Sequence, residues 1–235
     1  IYRPKADFLL DALVEQGEKP SQMTFADVGA GSGYFVSALK DAGVKSVRGY
    51  DVSETQVKLA NYMIGDHIVE QQGLVELLGT VENADVDVLT LVFALEHVQD
   101  PRGLLSAACQ NRRARYAFVA IPLFGPCVFF EMAFPEFAHR HLTCGHTHLY
   151  TRQSVDWMCA EFGLERLAEW WFGADVVDLY RMIWMTMSRN PELAGMVGKW
   201  EEMMLPVVDE MQLAVDKKKL SSEVHFLVRL PAGSP

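Results

Sequence analysis

The sequence predicts an α/β fold: a mostly parallel sheet of seven strands, helices on both faces and a C-terminal helical insert. Three observations predict it. Strand-like and helix-like segments alternate over most of the 235 residues, the rhythm of parallel strands joined by crossover helices. A glycine-rich turn at Gly29, Gly31 and Gly33 stands directly between a strand and a helix. The stretch Val86 to Ala94 reads as one apolar run, as expected of a strand covered by helices on both sides.

Taken in order, a first helix fits Pro4 to Gln16, with Phe8, Leu9, Ala12 and Leu13 on one face. Thr24 to Val28 reads as a buried strand that ends in the glycine turn, and a helix follows from Tyr34 to Asp41 with Gly43 as its C-cap. Val47 to Val52 is the second strand. Ser53 is a good N-cap, beside Glu54, for a helix expected to reach about Gln71. Leu74 to Leu78 is read as a short third strand and Val86 to Ala94 as the fourth. Pro101 sits near N1 of a helix to about Asn111, with Asp100 as its cap. Tyr116 to Ile121 is the fifth strand, Ser154 to Phe162 a helix ended by Gly163, and Leu164 to Trp171 and Val224 to Leu230 the last two strands.

One part breaks the rhythm. Asp175 to Lys218 reads as two helices. The first carries Val176, Tyr180, Ile183, Trp184 and Met187 at helical spacing and ends at Asn190-Pro191. The second carries Met196, Trp200, Met203, Val207, Met211 and Ala214, with Pro206 as a kink. Seven of the eleven methionines fall here. Methionine adapts to irregular surfaces, so a lid or a homodimer face stands beside plain packing as a reading.

Composition narrows the function classes. Half of the residues are apolar and 22% are charged, with mean hydropathy +0.06, which favours a globular chain over a disordered or membrane one. No stretch approaches the roughly 20 apolar residues of a spanning helix, and no basic-then-apolar leader opens the chain. It opens at Ile1 rather than a methionine, which allows for native sequence ahead of it. Cys109, Cys127, Cys144 and Cys159 show no CxxC spacing, so thiols in a reducing, cytoplasmic compartment are expected. A net charge of −10 argues against a protein that grips a phosphate backbone. Arg112, Arg113, Arg115 and Lys217 to Lys219 are then solvated surface.

The informative stretch is Asp27-Val28-Gly29-Ala30-Gly31-Ser32-Gly33. Glycines let a backbone turn sharply and approach a ligand with no Cβ in the way. A dinucleotide fingerprint starting at Gly29 needs its third glycine at position 34, which is Tyr34. A carboxylate at the loop would also repel a pyrophosphate, whereas S-adenosylmethionine (SAM) brings an ammonium and a sulfonium. Asp27 can orient that ammonium, and the loop amides can meet the methionine carboxylate. Asp51, closing the second strand, can accept two hydrogen bonds from a ribose diol. The blander reading makes Asp27 a turn cap and Asp51 a helix cap.

DVGAGSG, then YDVS, then VDVLTLVFALEHVQDPRGLL resembles the class I SAM-dependent methyltransferases, which have a Rossmann-like core. The likeness covers about Thr24 to Gly163 and is nearest the small-molecule branch with the ubiquinone-type O-methyltransferases and related tailoring enzymes. It implies SAM as cofactor and Asp27, Gly29, Ala30, Gly31, Gly33, Asp51 and Val52 as cofactor contacts. It further implies an adenine contact at Gly79 to Glu82, through Thr80 and Val81, and Leu95 at the methionine end. Many relatives have an acid where this chain has Thr80. On this reading residues 1–174 form the SAM-binding core, 175–219 the helical insert, and 220–235 the strand that completes the sheet.

The protein must align an acceptor with the methyl carbon and take a proton if the acceptor is a hydroxyl. A histidine suits that task because its pKa sits near neutrality. His97, beside Glu96, ends the fourth strand at the crevice where such folds bind ligands. It can equally pack or cap locally. Family members with Glu-x-x-Glu-His at this place bind a divalent cation; here the first acid is replaced in Phe93-Ala94-Leu95-Glu96-His97, so no metal is expected. The second candidate is His139 to Thr151, with four histidines and Cys144 within ten residues. His-x-His is not a usual zinc framework. The stretch resembles the segment that borders the acceptor in small-molecule methyltransferases, which implies His146 and His148 as base or substrate contacts. An ordinary polar loop before a Thr151 cap is the alternative.

Phe124, Phe129, Phe130, Phe134 and Phe137, with Glu131 and Glu136 among them, suit an apolar or ring-shaped acceptor, or packing under a long loop. The expected function is methyl transfer to a small-molecule hydroxyl, on a sugar or secondary metabolite, with no nucleic-acid or membrane partner. The alternatives are an N-methyltransferase and a non-catalytic SAM-binding protein acting through its insert. An NAD-dependent oxidoreductase is disfavoured by Tyr34.

Overall fold

The computed structural model of the chain describes residues 1–137, 140–142 and 145–231. His139, Thr143 and Cys144 of the histidine-rich stretch lie outside the described residues. In chain order the elements are α1 (Tyr2–Glu15), β1 (Thr24–Val28), α2 (Tyr34–Asp41), β2 (Ser46–Asp51), α3 (Glu54–Ile64), β3 (Val69–Gln71), α4 (Leu74–Asn83), β4 (Val88–Val92) and α5 (Pro101–Gln110). There follow β5 (Tyr116–Pro122), α6 (Pro126–Ala133), α7 (Arg152–Glu161), β6 (Glu165–Trp171), α8 (Asp175–Arg189), α9 (Val197–Met204), α10 (Val208–Lys217) and β7 (Glu223–Arg229). They divide into two compact units, one made of Ile1–Ile121, Arg152–Trp170 and the chain from His225, the other of Pro122–Thr151 and Trp171–Val224. The segment 122–151, expected with the core, therefore groups with the helical insert.

The first unit holds the sheet, whose seven strands run in the order β3-β2-β1-β4-β5-β7-β6. The pairs β1–β2, β1–β4, β2–β3 and β4–β5 are parallel. The last strand is reversed. Leu230 N, past the end of β7, donates to Arg115 O ahead of β5 (3.0 Å), while Leu123 N, past the end of β5, donates to Ser222 O ahead of β7 (2.7 Å). Phe172 N, past β6, bonds Glu223 O at the start of β7 (3.3 Å), so β7 opposes both neighbours. The expected Rossmann-like, mostly parallel architecture is present.

The apolar runs make the strands. Every residue of β4 and β5 is buried, because helices lie on both faces. Phe118 is fully buried, with the rings of Phe35 at 5.8 Å and Phe8 at 6.2 Å. Burying such a side chain stabilises the fold by about 1.5–3 kcal/mol. On α1 the buried positions Lys5, Ala6, Leu9, Ala12 and Leu13 form one stripe. Ser53 caps α3 through Gln56 N (3.4 Å) and Asp100 caps α5 through Gly103 N (2.9 Å), as the sequence suggested.

Three local expectations fail. The helix expected to reach Gln71 stops at Ile64, because Gly65 adopts φ +74° and ends it. The third strand is then Val69–Gln71, three residues at the sheet edge. Leu74 to Leu78, read as that strand, is the first part of α4, with Leu77 and Val81 buried one turn apart. The insert forms three α-helices rather than two, because Pro206 separates α9 from α10 instead of kinking one helix.

In the second unit α8 packs against α6, α9 and α10. Asp175, at the start of α8, is 1% exposed. It accepts from Gln212 Nε2 and Ser222 N, each at 3.2 Å, and from the Ser222 hydroxyl, so three stretches of chain meet on one buried acid. Tyr180 and Trp200 stack at 6.1 Å, and Trp184 Nε1 donates to Glu201 (2.9 Å). Met196, Met203, Leu205, Met211 and Leu213 remain exposed. Among the described residues no helix is long and apolar enough to cross a membrane.

Candidate active site

The first unit contains a cavity of about 880 Å³ at the C-terminal ends of β1, β2 and β4, within the range of about 300–1,000 Å³ usual for small-molecule sites. Its wall includes Asp27, Gly29, Ala30, Gly31, Asp51 and Val52, so most of the expected cofactor residues meet there. Strand order places them: β1 lies between β2 and β4, and ligands of open α/β sheets bind where the order of strands reverses.

The loop after β1 is fastened from below. Gly29 N and Ala30 N both donate to Tyr50 O, at 2.8 and 3.0 Å. Gly29 has φ +77°, and a Cβ there would lie 2.8 Å from Ala94 Cβ. Gly31 has φ +51° with nothing within 4 Å of its missing Cβ, so its bare backbone faces open space on the cavity wall. Gly33, the left-handed cap of α2, supports the loop without lining the cavity.

Asp51 shapes the loop as well. Its Oδ2 accepts from Gly31 N and its Oδ1 from Ser53 N, both at 2.8 Å. An ionised carboxylate has about four lone-pair sites, so acceptor capacity remains for a diol. Asp27 is 2% exposed and faces Thr90, its register partner across β1 and β4, whose hydroxyl donates to Oδ1 at 2.6 Å. Burial pushes the Asp27 carboxyl up to about 7; the Thr90 hydrogen bond pulls it down, and the Asp51 charge adds to the rise. An acid held near the point of ionisation in a cavity is suited to a cationic guest. A glycine backbone open to the cavity, with the carboxylates of Asp27 and Asp51 on the same wall, fits SAM, which carries an ammonium, a carboxylate and a ribose diol.

Other expected residues fall elsewhere. Thr80 and Val81 lie off the cavity wall, one turn of α4 beyond Leu77; Leu74 and Leu77 line it instead. Val81 is 1% exposed and its carbonyl accepts from Asn111 Nδ2 at 2.7 Å, a packing role. Leu95 is fully buried and also off the wall. His97 does line the cavity and is exposed, its N–H bonding Ala94 O at 3.1 Å. Phe93, also on the wall, has φ +55°, which for an aromatic residue stores about 1–3 kcal/mol of strain.

His146 and His148 belong to the second unit. His146 Nδ1 lies 3.2 Å from His141 O. His148 Nδ1 lies 2.9 Å from Thr147 Oγ1, and its ring stacks on Tyr150 at 6.2 Å.

The sequence reading missed Tyr2, Ser32, Tyr34, Gln56 and Thr90. Tyr2 and Tyr34 stack at 5.6 Å on the cavity wall, and the Ser32 hydroxyl bonds Gln56 Oε1. Thr90 carried a usable signal, since a hydroxyl inside the apolar strand VLTLV needs a buried partner. Tyr2 carried none, being distant in sequence from the glycine loop.

A family model described as a methyltransferase domain matches residues 2–169. The chain belongs to that family, the class I methyltransferases that take their methyl group from SAM. Among curated relatives, the ubiquinone biosynthesis O-methyltransferase of Idiomarina loihiensis is 33% identical over 87 residues, 36% of this chain and 35% of that protein. The match thus spans about a third of that relative's length. Among solved structures, magnesium protoporphyrin IX methyltransferase from Synechocystis PCC 6803 with bound SAH is 17% identical with TM-score 0.54, over 71% of this chain and 75% of that one. The [4+2]-cyclase SpnF is 14% identical with TM-score 0.60, over 98% and 82% of the two chains. At such identities the structures establish the shared fold.

Proposed function

We propose that this enzyme transfers the SAM methyl group to a hydroxyl oxygen of a small molecule, a sugar or a secondary metabolite, in the cytoplasm. The observation that carries the reading is the cavity at β1, β2 and β4, where Asp51 and the buried Asp27 flank a glycine loop. SAM supplies an activated methyl carbon; the chain's part is to bind, orient and move a proton. Asp27 holds the ammonium, Asp51 the ribose diol, and Leu74 and Leu77 offer apolar surface to the adenine. His97, on the cavity wall, is one candidate for the proton; the sequence resemblance adds His146 and His148. In the transfer the hydroxyl's proton passes to a histidine, its oxygen bonds the methyl carbon, and the carbon–sulfur bond breaks to leave S-adenosylhomocysteine (SAH).

Support for an oxygen acceptor comes from the partial likeness to a ubiquinone biosynthesis O-methyltransferase. A nitrogen acceptor needs less of a base and is separated by the acceptors that turn over. The net charge of −10 disfavours a nucleic-acid substrate. Exposed Met196, Met203 and Met211 are the side chains through which a second copy would pair, and a monomer by analytical ultracentrifugation removes that part.

Calorimetric titration with SAM, SAH and NAD tests the site. Micromolar binding of SAM and SAH, weakened at least about tenfold by Asp51→Ala through loss of charge-assisted hydrogen bonds, is expected, with no binding of NAD. Failure of folded protein to bind SAM ends the reading. SAM binding with no SAH released across a broad hydroxyl and amine panel would favour the non-catalytic alternative.

A further inference from the structure

The glycine loop spends most of its own backbone donors on holding its shape. Gly29 N and Ala30 N bond Tyr50 O, Gly31 N bonds Asp51 Oδ2, and Gly33 N bonds Ala30 O at 2.9 Å. Of residues 29–33, Ser32 alone keeps its N–H without an acceptor among the described residues. The ionised Asp51 carboxylate beside the loop can only accept. A ribose diol has hydrogens to give, which Asp51 can take, but its oxygens also carry lone pairs that want a donor. Left unmet inside a cavity, those lone pairs cost affinity.

Gln56 is placed to be that donor. Ser53-Glu54-Thr55-Gln56 has the form of a capping box, in which the glutamine side chain folds back onto the N–H of the N-cap serine. Half of the box is present, since Gln56 N donates to Ser53 Oγ at 3.4 Å. The other half is taken: Ser53 N donates to Asp51 Oδ1 at 2.8 Å, and the Gln56 side chain is released from the helix end. It turns to the glycine loop, where the Ser32 hydroxyl lies against its Oε1. An amide oxygen has no proton, so the hydroxyl must donate and the amide is held with its oxygen toward the loop. Its Nε2 carries two hydrogens, for which the described residues supply no acceptor. Ser32, Asp51, Ser53 and Gln56 all line the cavity, so a side chain with only donors left stands by one with only acceptors.

We propose that Gln56 is a cofactor-binding residue whose Nε2 donates to the ribose oxygens of SAM while Asp51 accepts their hydrogens, and that Ser32 is the positioning residue that keeps the amide turned that way. The proposal rests on the reading that this cavity holds SAM with its diol at Asp51.

Calorimetric titration of the full chain with SAH, 2′-deoxy-SAH and 3′-deoxy-SAH tests it, with folding of each variant checked by thermal melting. Wild type should bind at least one deoxy compound about tenfold or more weaker than SAH. Gln56→Leu should bind SAH about fivefold weaker, the loss of a neutral hydrogen bond. Its penalty for the missing hydroxyl should shrink severalfold, because one partner of that hydroxyl is already gone. Ser32→Ala, which leaves the amide but frees it to turn, should shrink the penalty part of the way and add nothing in the Gln56→Leu background. A merely structural Gln56 would weaken all three ligands alike. That unchanged ratio, or full-strength SAH binding by folded Gln56→Leu, overturns the proposal, and a wild-type ratio in Ser32→Ala overturns the positioning role. Should Gln56→Leu fail to fold, Gln56→Glu, which keeps an oxygen for Ser32 but replaces the amine by a second acceptor, faces the same outcomes. Wild-type protein that binds no SAH removes the cofactor reading itself, a failure distinct from SAH bound with a ratio that Gln56 does not move.

Discussion

Asp27→Asn should make the unliganded protein more stable while weakening its grip on SAM, and the size of the first effect follows from the cavity wall. The Asp27 carboxyl moves from 3.8 to about 7 on folding, chiefly through burial. An acid with a raised folded pKa keeps its proton in the native state while the unfolded chain gives it up. Stability therefore falls as pH rises from about 4 to about 7, by about 1.4 kcal/mol per unit and about 4 kcal/mol in all. Asparagine has no proton to lose, and its carbonyl still accepts from the Thr90 hydroxyl. The stability difference between Asp27→Asn and wild type should then grow by about 3 kcal/mol between pH 5 and pH 8. Urea unfolding across that range measures it. His225, 0% exposed and held down to about 3 mainly by burial, also titrates there as the chain unfolds, with the opposite sign, but it is common to both proteins and cancels. SAM affinity of wild type should rise with pH through about 7 as Asp27 ionises, and that of the variant should be about tenfold weaker at pH 8 with no such rise. A stability difference flat with pH would show that burial does not control this acid. Equal SAM binding by the two proteins would remove Asp27 from the ammonium site.

Two further outcomes follow from the same loop. Thr90→Val deletes the hydrogen bond that lowers the Asp27 carboxyl, so the pH at which wild-type SAM affinity rises should move upward, seen by titration at several pH values; a downward or absent shift contradicts the assignment. Gly29→Ala places a Cβ 2.8 Å from Ala94 at a φ of +77°, and should cost about 1–3 kcal/mol of stability. Thermal melting measures it, and Ala94→Gly in the same chain should recover the part due to the clash but not the part due to φ.

The sheet was legible because its strands are bounded apolar runs with glycine, proline or a capping residue at their ends. Leu74 to Leu78 misled because LVELL satisfies both periods; the deciding feature, Leu77 and Val81 buried on one helical face, is visible only once the segment is taken as longer than a strand. The helix α6 went unread although Pro126 stands at its N1 position, since its aromatic residues suggested a pocket lining. The glycine loop of the cavity was readable because its signal lies in consecutive residues. The pairing of Ser32 with Gln56, 24 residues apart, carries no such local signature, and neither does Tyr2 in the cavity wall. The order of strands decides what joins them, and that order is a property of the whole chain.

The reversed strand β7 has a consequence for how the chain comes to its fold. It is inserted between β5 and β6, so those two strands have no partner on their facing edges until Glu223–Arg229 has left the ribosome. A nascent chain paused after α10 would carry an open edge of β5, whose residues are all buried in the finished molecule, exposed to pairing with any other strand. Closure of the sheet is therefore a long-range event that waits for β7, and a chain cut ahead of Glu223 would be an adhesive fragment rather than a shortened enzyme.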